Sequence, residues 1–468
     1  MRHLTPQEMN TRHPYPWDDG GQSLLERARA RMLATGQWHG SQAMGRRWAV
    51  GCVALEITQR CNLDCSLCYL SVHSEAVRDI PLRELFRRID AIATCFGPGT
   101  DVQVTGGDPT LRKRTELLDI VARIRSRNMR PSLFTNGIRL KRDLLEDLVD
   151  AGLVDVAFHV DMTQGRKSYA TEVELNTVRR DCIDRARGLP LSVFFNTTVF
   201  GGNFREIPDV VDFFVKNSDV VRLASFQLQA DTGRGTQRGR DTIITMDNVV
   251  RQIETGANTP ITFDAVQAGH ARCNSYAMTL VINGAVYDLF DDKPFIRRML
   301  TATADLEFDR TSPRRAITGL ARWFVGHPQV WKASMGWSLG KLKAMGPDLV
   351  AARGQAHKLS FFVHDFMDAC RLEEDRIDAC VFMAATADGP MSMCLHNAKR
   401  DDYILRPQRI EGSAGPRFWD PLTGQLHDQE PAPTMPSTKV LKGRAKEHAT
   451  RSRRPETGAT AEAEVRPK

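Results

Sequence analysis

The chain has 468 residues, a hydrophobic fraction of 41% and a formal net charge of +7. This length can bury a large core and predicts two or more domains. No apolar run reaches the roughly 20 residues that a membrane-spanning helix needs, and the N-terminus lacks the apolar segment of a secretory signal. Ten cysteines in a chain of this length do not make a disulfide scaffold. We therefore expect a cytoplasmic protein with reduced thiols.

The first half of the chain predicts an extension and then a repeating unit. Residues 1–46 are expected to form an N-terminal extension with one helix in SLLERARARMLATG. Residues 47–265 alternate short apolar runs with amphipathic helical patterns, which predicts βα units and a parallel sheet. Six such units fit an α/β fold of the partial (β/α)6 TIM-barrel type. The six strands are predicted near 52–58, 101–105, 131–135, 154–160, 191–198 and 221–229.

Two further regions follow the predicted barrel. Residues 266–415 are expected to form a C-terminal α+β region, with a hairpin in TLVINGAVYDLF because Asn283-Gly284 is a strong two-residue turn signal. Residues 416–468 are rich in proline, serine and charge and predict a disordered basic tail. That tail is a solvated segment or a peripheral contact to an anionic membrane surface. It lacks interleaved aromatic residues, so we predict no specific nucleic-acid partner.

Three cysteines follow the first predicted strand, in the stretch LEITQRCNLDCSLCY. Cys61, Cys65 and Cys68 have the spacing C-x3-C-x2-C, and three thiolates from one loop can hold three irons of a cubane cluster. The fourth iron then has an open position for a ligand, as catalytic zinc sites do. The alternatives are zinc or unliganded thiols. Structural zinc takes four ligands, usually as two C-x2-C pairs, and this loop has only one triplet.

A second motif, VTGGDPT, lies at the end of the second predicted strand and contains Gly106, Gly107, Asp108 and Pro109. Its glycines allow close approach of the backbone to a ligand. Together the two motifs resemble the radical SAM superfamily, with Asp108 in place of the glutamate of the GGEP motif. The resemblance implies a 4Fe-4S cluster whose open iron binds S-adenosylmethionine (SAM). It also implies that the GGDP backbone receives the SAM amino group and that reductive cleavage yields a 5′-deoxyadenosyl radical.

Polar residues at the ends of the fourth and fifth strands extend this pocket. The resemblance implies that Asp161 in FHVD and Asn196 in FFNTTV contact the ribose or carboxylate of SAM. Each is equally well explained as an ordinary polar residue at a strand end. His159, in the same FHVD run, is interpreted as a core histidine.

Four late cysteines, Cys273, Cys370, Cys380 and Cys394, suggest a second cluster, although their wide spacing also fits buried free thiols. The runs HARC, HDFMD, the Ala-Asp-Gly turn and MCLHN resemble a subgroup that includes archaeal tetraether lipid synthases and methanogen pterin-methylating radical SAM enzymes. The resemblance implies one auxiliary cluster on Cys273, Cys380 and Cys394. Cys370 is the candidate fourth ligand, and without it one iron stays open.

Two departures weaken the transfer of a substrate from that subgroup. Relatives often carry an N-terminal cysteine pair and a further cysteine before the HARC-type run, and neither is present. The leading hypothesis is a radical SAM oxidoreductase or transferase that forms carbon–carbon bonds or methylates a lipid-like or other apolar small molecule, with a flavodoxin- or ferredoxin-type electron donor. One alternative is a peptide-modifying maturase, although its usual seven-cysteine pattern is not visible. The other is a non-catalytic iron–sulfur electron-transfer protein.

Overall fold

The structure is a computed structural model. It describes residues 2–18, 20–21, 23–39, 50–237, 239–240, 242–304, 306, 313–412, 415–432 and 434–436. None of the helices in these ranges combines the length and the hydropathy that crossing a bilayer would require.

Six parallel strands form the middle of an 11-stranded sheet and follow one another in chain order. Their bounds agree with the predicted ones to within one residue, which confirms the βα units. The strands are β1 (Cys52–Thr58), β2 (Asp101–Gly106), β3 (Arg130–Thr135), β4 (Asp155–His159), β5 (Ser192–Val199) and β6 (Val221–Leu228).

A helix follows each of these strands and covers the outer face of the sheet. In the second of the chain's βα connections, for example, Leu117, Ile120 and Ile124 recur at helical spacing and are buried. Alternate strand residues such as Phe158 and Phe195 pack into the same core. The helices are α3 (Leu82–Phe96), α4 (Arg114–Ser126), α5 (Arg142–Asp150), α6 (Asn176–Ala186), α7 (Ile207–Lys216) and α8 (Met246–Ala257), preceded by α1 (Pro6–Thr11) and α2 (Leu24–Ala34).

The C-terminal region adds strands to the same sheet rather than forming a sheet of its own. Its strand β9 pairs in parallel with β6, and its strand β10 pairs in parallel with β1, so the parallel run has eight strands. The elements are β7 (Asn274–Ile282), β8 (Ala285–Asp288), α9 (Lys293–Ala302), α10 (Pro313–Gly326), α11 (Pro328–Ala351), β9 (His357–His364), α12 (Glu374–Asp378), β10 (Phe382–Ala385), β11 (Pro390–Ser392), α13 (Met393–Ala398) and α14 (Arg400–Ile404).

Antiparallel strands occupy both edges of this run. Strands β7 and β8 form the predicted hairpin beside β9, and β11 pairs with β10. Asn283 and Gly284 have φ angles of 53° and 82°, the left-handed values that a type I′ hairpin turn requires. The predicted turn is therefore confirmed.

Aromatic side chains connect the two ends of the parallel run. The ring of Phe382 on β10 lies 5.2 Å from the ring of His364 and 6.3 Å from that of Phe362, both on β9, between centroids. Tilted strands in a barrel bring the first and last strands together in this way. The sheet is a partial TIM-type barrel whose gap is filled by these rings.

The N-terminal segment packs on the C-terminal region. Leu4 N donates to Leu372 O at 2.8 Å, and Tyr15 N donates to Pro390 O at 2.9 Å. A second sheet of three strands consists of β12 (Gln408–Gly412), β13 (Gly415–Trp419) and β14 (Leu426–His427).

The second sheet corrects the predicted boundary of the tail at residue 416. Trp419 is only 2% exposed and packs into the main core, so the chain stays ordered past that point. The prediction gave weight to proline and charge and overlooked the buried indole. Residues 437–468, which make up most of the predicted tail, lie outside the described residues.

Candidate cluster and cofactor site

The Cys loop, residues 59–73, begins at the carboxyl end of β1 and carries the first thiol triad, Cys61, Cys65 and Cys68. Burial raises the pKa of Cys61 to about 11, and the neighbouring Cys68 sulfur adds to the rise. Burial also raises the pKa of Cys65 well above its ordinary value, with contributions from Cys68 and Cys61. The three sulfurs are therefore close enough to repel one another as thiolates. Buried soft donors of this kind fit a cationic iron–sulfur cluster.

The donor set differs from that of a single-ion site. Among the described residues, no three His, Cys, Asp or Glu side chains are arranged around one metal ion. In a cubane cluster each cysteine binds a different iron, so the ligands surround a larger body than one ion.

The GGDP turn, residues 106–109, is locked to the base of the Cys loop. Gly107 N donates to Thr58 O, and Asp108 N donates to Arg60 O, both at 2.8 Å. A Cβ at Gly107 would lie 2.0 Å from Arg60 O, so the backbones approach more closely than any side chain allows. The glycines were expected to admit a ligand; in the structure they first admit the Cys loop itself. Tyr69 Oη also donates to Gly106 O, at 2.5 Å.

The Asp108 carboxylate ties this turn to the end of β3. It is fully buried and accepts from Thr135 Oγ1 at 2.8 Å and from Asn136 N at 2.9 Å. Asn136 Nδ2 in turn donates to Asn62 Oδ1 of the Cys loop at 2.7 Å. Pro109 opens a short 3-10 turn after it. The Asp108 side chain thus positions the end of β3 against the turn, and Asn136 extends the connection to the Cys loop.

The inner face of the barrel presents a layer of half-buried side chains below the Cys loop. His159 on β4 is in register with Asn196 on β5, which is in register with Ser225 on β6 and, beyond it, with Phe362 on β9. Residues in register lie on one face of a parallel sheet. This layer therefore borders the space between the cofactor loops and the C-terminal strands, and it includes the predicted Asn196.

Asp161 lies at the same edge, but its carboxylate is occupied. It is fully buried and accepts from Thr163 N at 3.0 Å, from Thr198 N at 2.8 Å and from His159 Nε2 at 2.6 Å. These donors outweigh the effect of burial and lower the pKa of Asp161 to about 2. Burial lowers the pKa of His159, but the Asp161 charge outweighs it and raises that pKa. The half-exposed His159, interpreted from sequence as a core residue, is the member of this pair that faces the interior.

The sequence analysis did not identify two arginines that lie near the first thiol triad. Arg166 Nη2 donates to Asn136 O at 2.6 Å, and its charge acts on Cys65, while burial lowers the pKa of its guanidinium. Arg234 is 2% exposed and lies beside Cys68. Only the flanking glycines of Arg234, in the run TGRGT, signal a backbone that passes close to another segment.

An open groove runs along the outer side of the Cys loop. It has a volume of about 1120 Å³ and includes Leu63 and Asp64 of the loop. Lys141, Arg166 and Lys167 contribute positive charge to its lining. This groove reaches the loop from solvent without passing through the barrel interior.

The second thiol triad, Cys273, Cys380 and Cys394, is assembled from distant parts of the C-terminal region. Burial raises the pKa of Cys273 to about 12, and the Cys380 sulfur contributes to that rise. Burial also raises the pKa of Cys394, with contributions from Cys380 and Cys273. Cys370 is exposed to solvent, in contrast to Cys380 and Cys394, which are buried. The structure thus brings together three of the four predicted auxiliary ligands.

The HDFMD segment, residues 364–368, joins the two sites. The Asp368 carboxylate accepts from Arg240 Nη2 at 2.6 Å and from Asp231 N at 2.8 Å, in the chain that follows β6. Met367 is buried in a small core with Cys394. The segment therefore packs against the core around Cys394 and connects it to the chain after β6. Its first residue, His364, faces the aromatic gap of the barrel.

Comparison with known proteins agrees with this geometry. The sequence profile of the radical SAM superfamily matches residues 55–214, which include the Cys loop and the GGDP turn. A 7,8-dihydro-6-hydroxymethylpterin dimethyltransferase from Methanocaldococcus jannaschii is 27% identical over 218 residues, 44% of this chain and 42% of that protein. A probable GTP 3′,8-cyclase from Pyrococcus abyssi is 32% identical over 177 residues, 37% of this chain and 56% of that protein. The chain thus spans about half the length of the curated relatives it matches.

Among solved structures, SuiB from Streptococcus suis bound to SAM is similar with a TM-score of 0.34 and 14% identity, over 49% of this chain and 50% of that chain. Proteins of the radical SAM superfamily use a 4Fe-4S cluster and SAM, and the first thiol triad has the ligands that such a cluster needs. The profile match confirms the predicted superfamily, since residues 55–214 of this chain are a radical SAM superfamily domain, while the predicted subgroup stays a prediction.

Proposed function

We propose that this chain is a radical SAM enzyme that activates a C–H bond of a small molecule. The observation that carries the proposal is the joint geometry of the Cys loop and the GGDP turn. Three thiols, of which Cys68 is buried and Cys61 and Cys65 are half-buried, converge in a loop whose base is bonded to the turn. This arrangement sits at the carboxyl ends of parallel strands, where barrel enzymes carry their chemistry.

The cofactors define the reaction, and the chain positions them. When bound, the reduced cluster and SAM supply a 5′-deoxyadenosyl radical, which takes a hydrogen atom from the substrate. The first thiol triad would hold the cluster, and the backbone of the GGDP turn would bind the neighbouring SAM. The guanidinium of Arg166 lies close to Cys65 and offers a positive charge to the SAM carboxylate. The barrel wall keeps water away from the reacting atoms.

The substrate is proposed to occupy the barrel interior. Its inward, half-buried side chains combine aromatic surface with hydrogen-bonding groups, namely Phe134, Phe194, Phe362, Phe382, His159, Asn196, Gln227 and His364. Such a lining suits a small molecule with both apolar surface and polar groups. The lipid-like substrate is one member of that class. Heterocycles are another, since two relatives are named for a pterin and for GTP. The proposed reaction on such a substrate is carbon–carbon bond formation or methylation.

We further propose that the second thiol triad holds an auxiliary cluster with one open iron. The half-buried Cys273 and the buried Cys380 and Cys394 act on one another there, whereas Cys370 is exposed. An open iron beside the aromatic gap of the barrel would be placed to contact substrate. Reduced thiols in both triads suit the cytoplasm, and a flavodoxin- or ferredoxin-type protein is the proposed electron donor.

The first test is anaerobic reconstitution of the wild type and of a Cys61→Ala, Cys65→Ala, Cys68→Ala variant. We expect about eight irons in the wild type and about four in the variant, because each cubane holds four. With dithionite and SAM, only the wild type should form 5′-deoxyadenosine. Loss of all iron in the variant would contradict the auxiliary cluster. Iron binding without any SAM cleavage would instead favour the non-catalytic electron-transfer alternative.

A peptide substrate is the second candidate. The open groove beside the Cys loop, with Lys141 and Lys167, would suit an extended acidic segment. Chemical crosslinking with acidic peptides would distinguish the two candidates, since a small-molecule enzyme should show no saturable labelling of this groove.

A further inference from the structure

A strap after β6, described at residues 229–237 and 239–240, runs along the Cys loop and bonds to it repeatedly. Gly235 N donates to Cys68 O at 3.1 Å, and Gln237 N donates to Ser66 O at 3.0 Å. Arg234 N donates to the carbonyl of the loop residue Leu70 at 2.6 Å. The three acceptors are alternate residues of the loop, so the strap fixes the backbone of the loop around Cys68.

Glycines let the strap come this close. A Cβ at Gly233 would lie 2.3 Å from Tyr69 O, and one at Gly235 would lie 3.0 Å from Cys68 N. Gly233 also has a φ of 56°, which disfavours other residues. The contact is therefore built into the backbone and does not depend on flexible side chains.

Between these two glycines, Arg234 enters the loop as a buried cation. Its Nη1 donates to Glu75 Oε1 at 3.1 Å, and its Nη2 donates to Leu63 O at 3.4 Å. Asp64 Oδ1 lies 3.7 Å from its Nε. Burial lowers the pKa of Arg234, but the negative groups around it, led by Cys68, outweigh burial and raise it.

This one cation acts on all three members of the first thiol triad, since it opposes the rise in pKa of Cys61 and Cys65 as well. We propose that Arg234 is a positioning residue with two effects: it holds the Cys loop in its cluster-binding shape before iron enters, and its fixed charge raises the reduction potential of the cluster. The inference rests on the proposed function in that it requires a cluster on this triad.

The expected sign follows from electrostatics. Reduction adds one negative charge to the cluster, and a nearby cation stabilises the more negative state. A buried cation is screened less by salt than a surface one. Removal of the charge should therefore make reduction harder, and a lysine should preserve most of the effect while losing the bond to Leu63 O.

The test compares Arg234→Gln, Arg234→Lys and a matched control, Arg240→Gln. Arg240 lies on the same strap but pairs with Asp368 instead of the Cys loop. The midpoint potential of the SAM cluster is measured by redox titration with EPR detection, without SAM or substrate. We expect Arg234→Gln to lower the equilibrium constant for reduction of the cluster at least tenfold. For one electron this is a fall of at least about 59 mV in the midpoint potential. Arg234→Lys and Arg240→Gln should stay close to the wild type.

A second measurement covers the case in which Arg234→Gln takes up less iron. Hydrogen exchange of the iron-free proteins reports the backbone of the strap and loop directly. We expect slow exchange at Gly235 and Gln237 in wild type and fast exchange in Arg234→Gln. A fully loaded Arg234→Gln protein with an unchanged potential and unchanged exchange would overturn the inference and leave the proposed function intact. A wild type that binds no iron would instead overturn the proposed function.

Discussion

The two thiol triads have similar donors but different origins. Cys61, Cys65 and Cys68 lie within eight residues of one loop, whereas the second triad draws on the residues just before β7, the residues just before β10 and the helix α13. The three cysteines of the first triad are neighbours in sequence before any tertiary contact forms, and backbone bonds from the GGDP turn and the strap then hold their loop. Only closure of the barrel, through β9 and β10, brings the second one together. A local site can thus be identified from spacing, while an assembled site depends on topology.

Each triad also has its own buried arginine, and the two arginines bind differently. Arg376 is 3% exposed, and its Nε donates to Cys273 Sγ at 3.3 Å. Arg234 instead donates to the acid Glu75 and to the backbone. The second triad thus has a cation bonded directly to one ligand sulfur, a contact that lowers the electron density on that sulfur. In the first triad, the charge of Arg234 acts on the sulfurs by electrostatic interaction.

The largest expected effect is that of a substitution at Gly107, which should remove the cluster of the first triad and leave that of the second. Gly107→Ala should abolish cluster binding by the first triad because the added Cβ would meet Arg60 O at 2.0 Å. Forced overpacking of this kind costs about 3 kcal/mol. Iron should fall from about eight to about four per chain, since a cubane holds four, as measured by iron and sulfide analysis.

Gly340→Ala, in α11, is the matched control because a Cβ there meets nothing within 4 Å. It should keep all the iron. If Gly107→Ala also empties the second triad, the two sites fold as one unit and the contrast between them is lost.

The second prediction tests which late cysteines form the auxiliary site. Cys380→Ala should remove about four irons, the content of one cubane, and leave the SAM cluster in place. Cys370→Ala should lose none because Cys370 is exposed and apart from the triad. EPR spectra of the reduced proteins distinguish the clusters. If both variants lose the same amount of iron, Cys370 is a ligand of the auxiliary cluster.

A smaller effect is expected at the link between the sites. Asp368→Asn weakens the bonds from Arg240 and from Asp231 N. Hydrogen bonds to a charged, mostly buried carboxylate contribute about 2 kcal/mol, so the free energy of unfolding should fall by about that amount. A double-mutant cycle with Arg240→Gln in urea measures the coupling. Additive losses would mean that the strap and the HDFMD segment do not stabilise each other.

Much of the fold was predictable because its signals are local. The strands β1 to β6 are short apolar runs, α3 has strict helical spacing, and Asn283-Gly284 marks the hairpin. The Cys loop and the GGDP turn were identified for the same reason. Each lies within a few residues of its strand, so spacing alone carries the information.

The features that were missed depend on contacts between distant segments. Strand β10 has four residues, FMAA, too few for any periodicity, and its place beside β1 follows only from barrel closure. The role of Arg234 exists only once the strap lies on the Cys loop. Asp161 was predicted as a SAM contact from its position at a strand end. The bonds that occupy its carboxylate come from Thr163 and Thr198 and were not visible in sequence.

The smallest predicted effect concerns the His159–Asp161 pair at the edge of the first site. The folded pKa of His159 is raised, so its stabilisation is complete below the unfolded value of 6.5 and is lost as pH rises through the folded pKa. The folded pKa of Asp161 is lowered to about 2, so its stabilisation is present above 3.8 and is lost as pH falls towards 2. The ion pair should therefore stabilise the protein most between these two limits.

Thermal unfolding of wild type and His159→Gln between pH 4 and 9 tests this sign. The wild type should be more stable by about 1 kcal/mol near pH 5.5, because solvent screens a side chain that is 36% exposed. The difference should shrink as the pH rises through the folded pKa of His159. Glu172 also raises this pKa and Arg166 lowers it, so their balance sets the midpoint of the loss. The exposed His13→Gln control should show no such trend. A difference that grows with pH would mean that His159 is neutral in the folded protein, and the inner edge of the site would then carry a carboxylate without its cation.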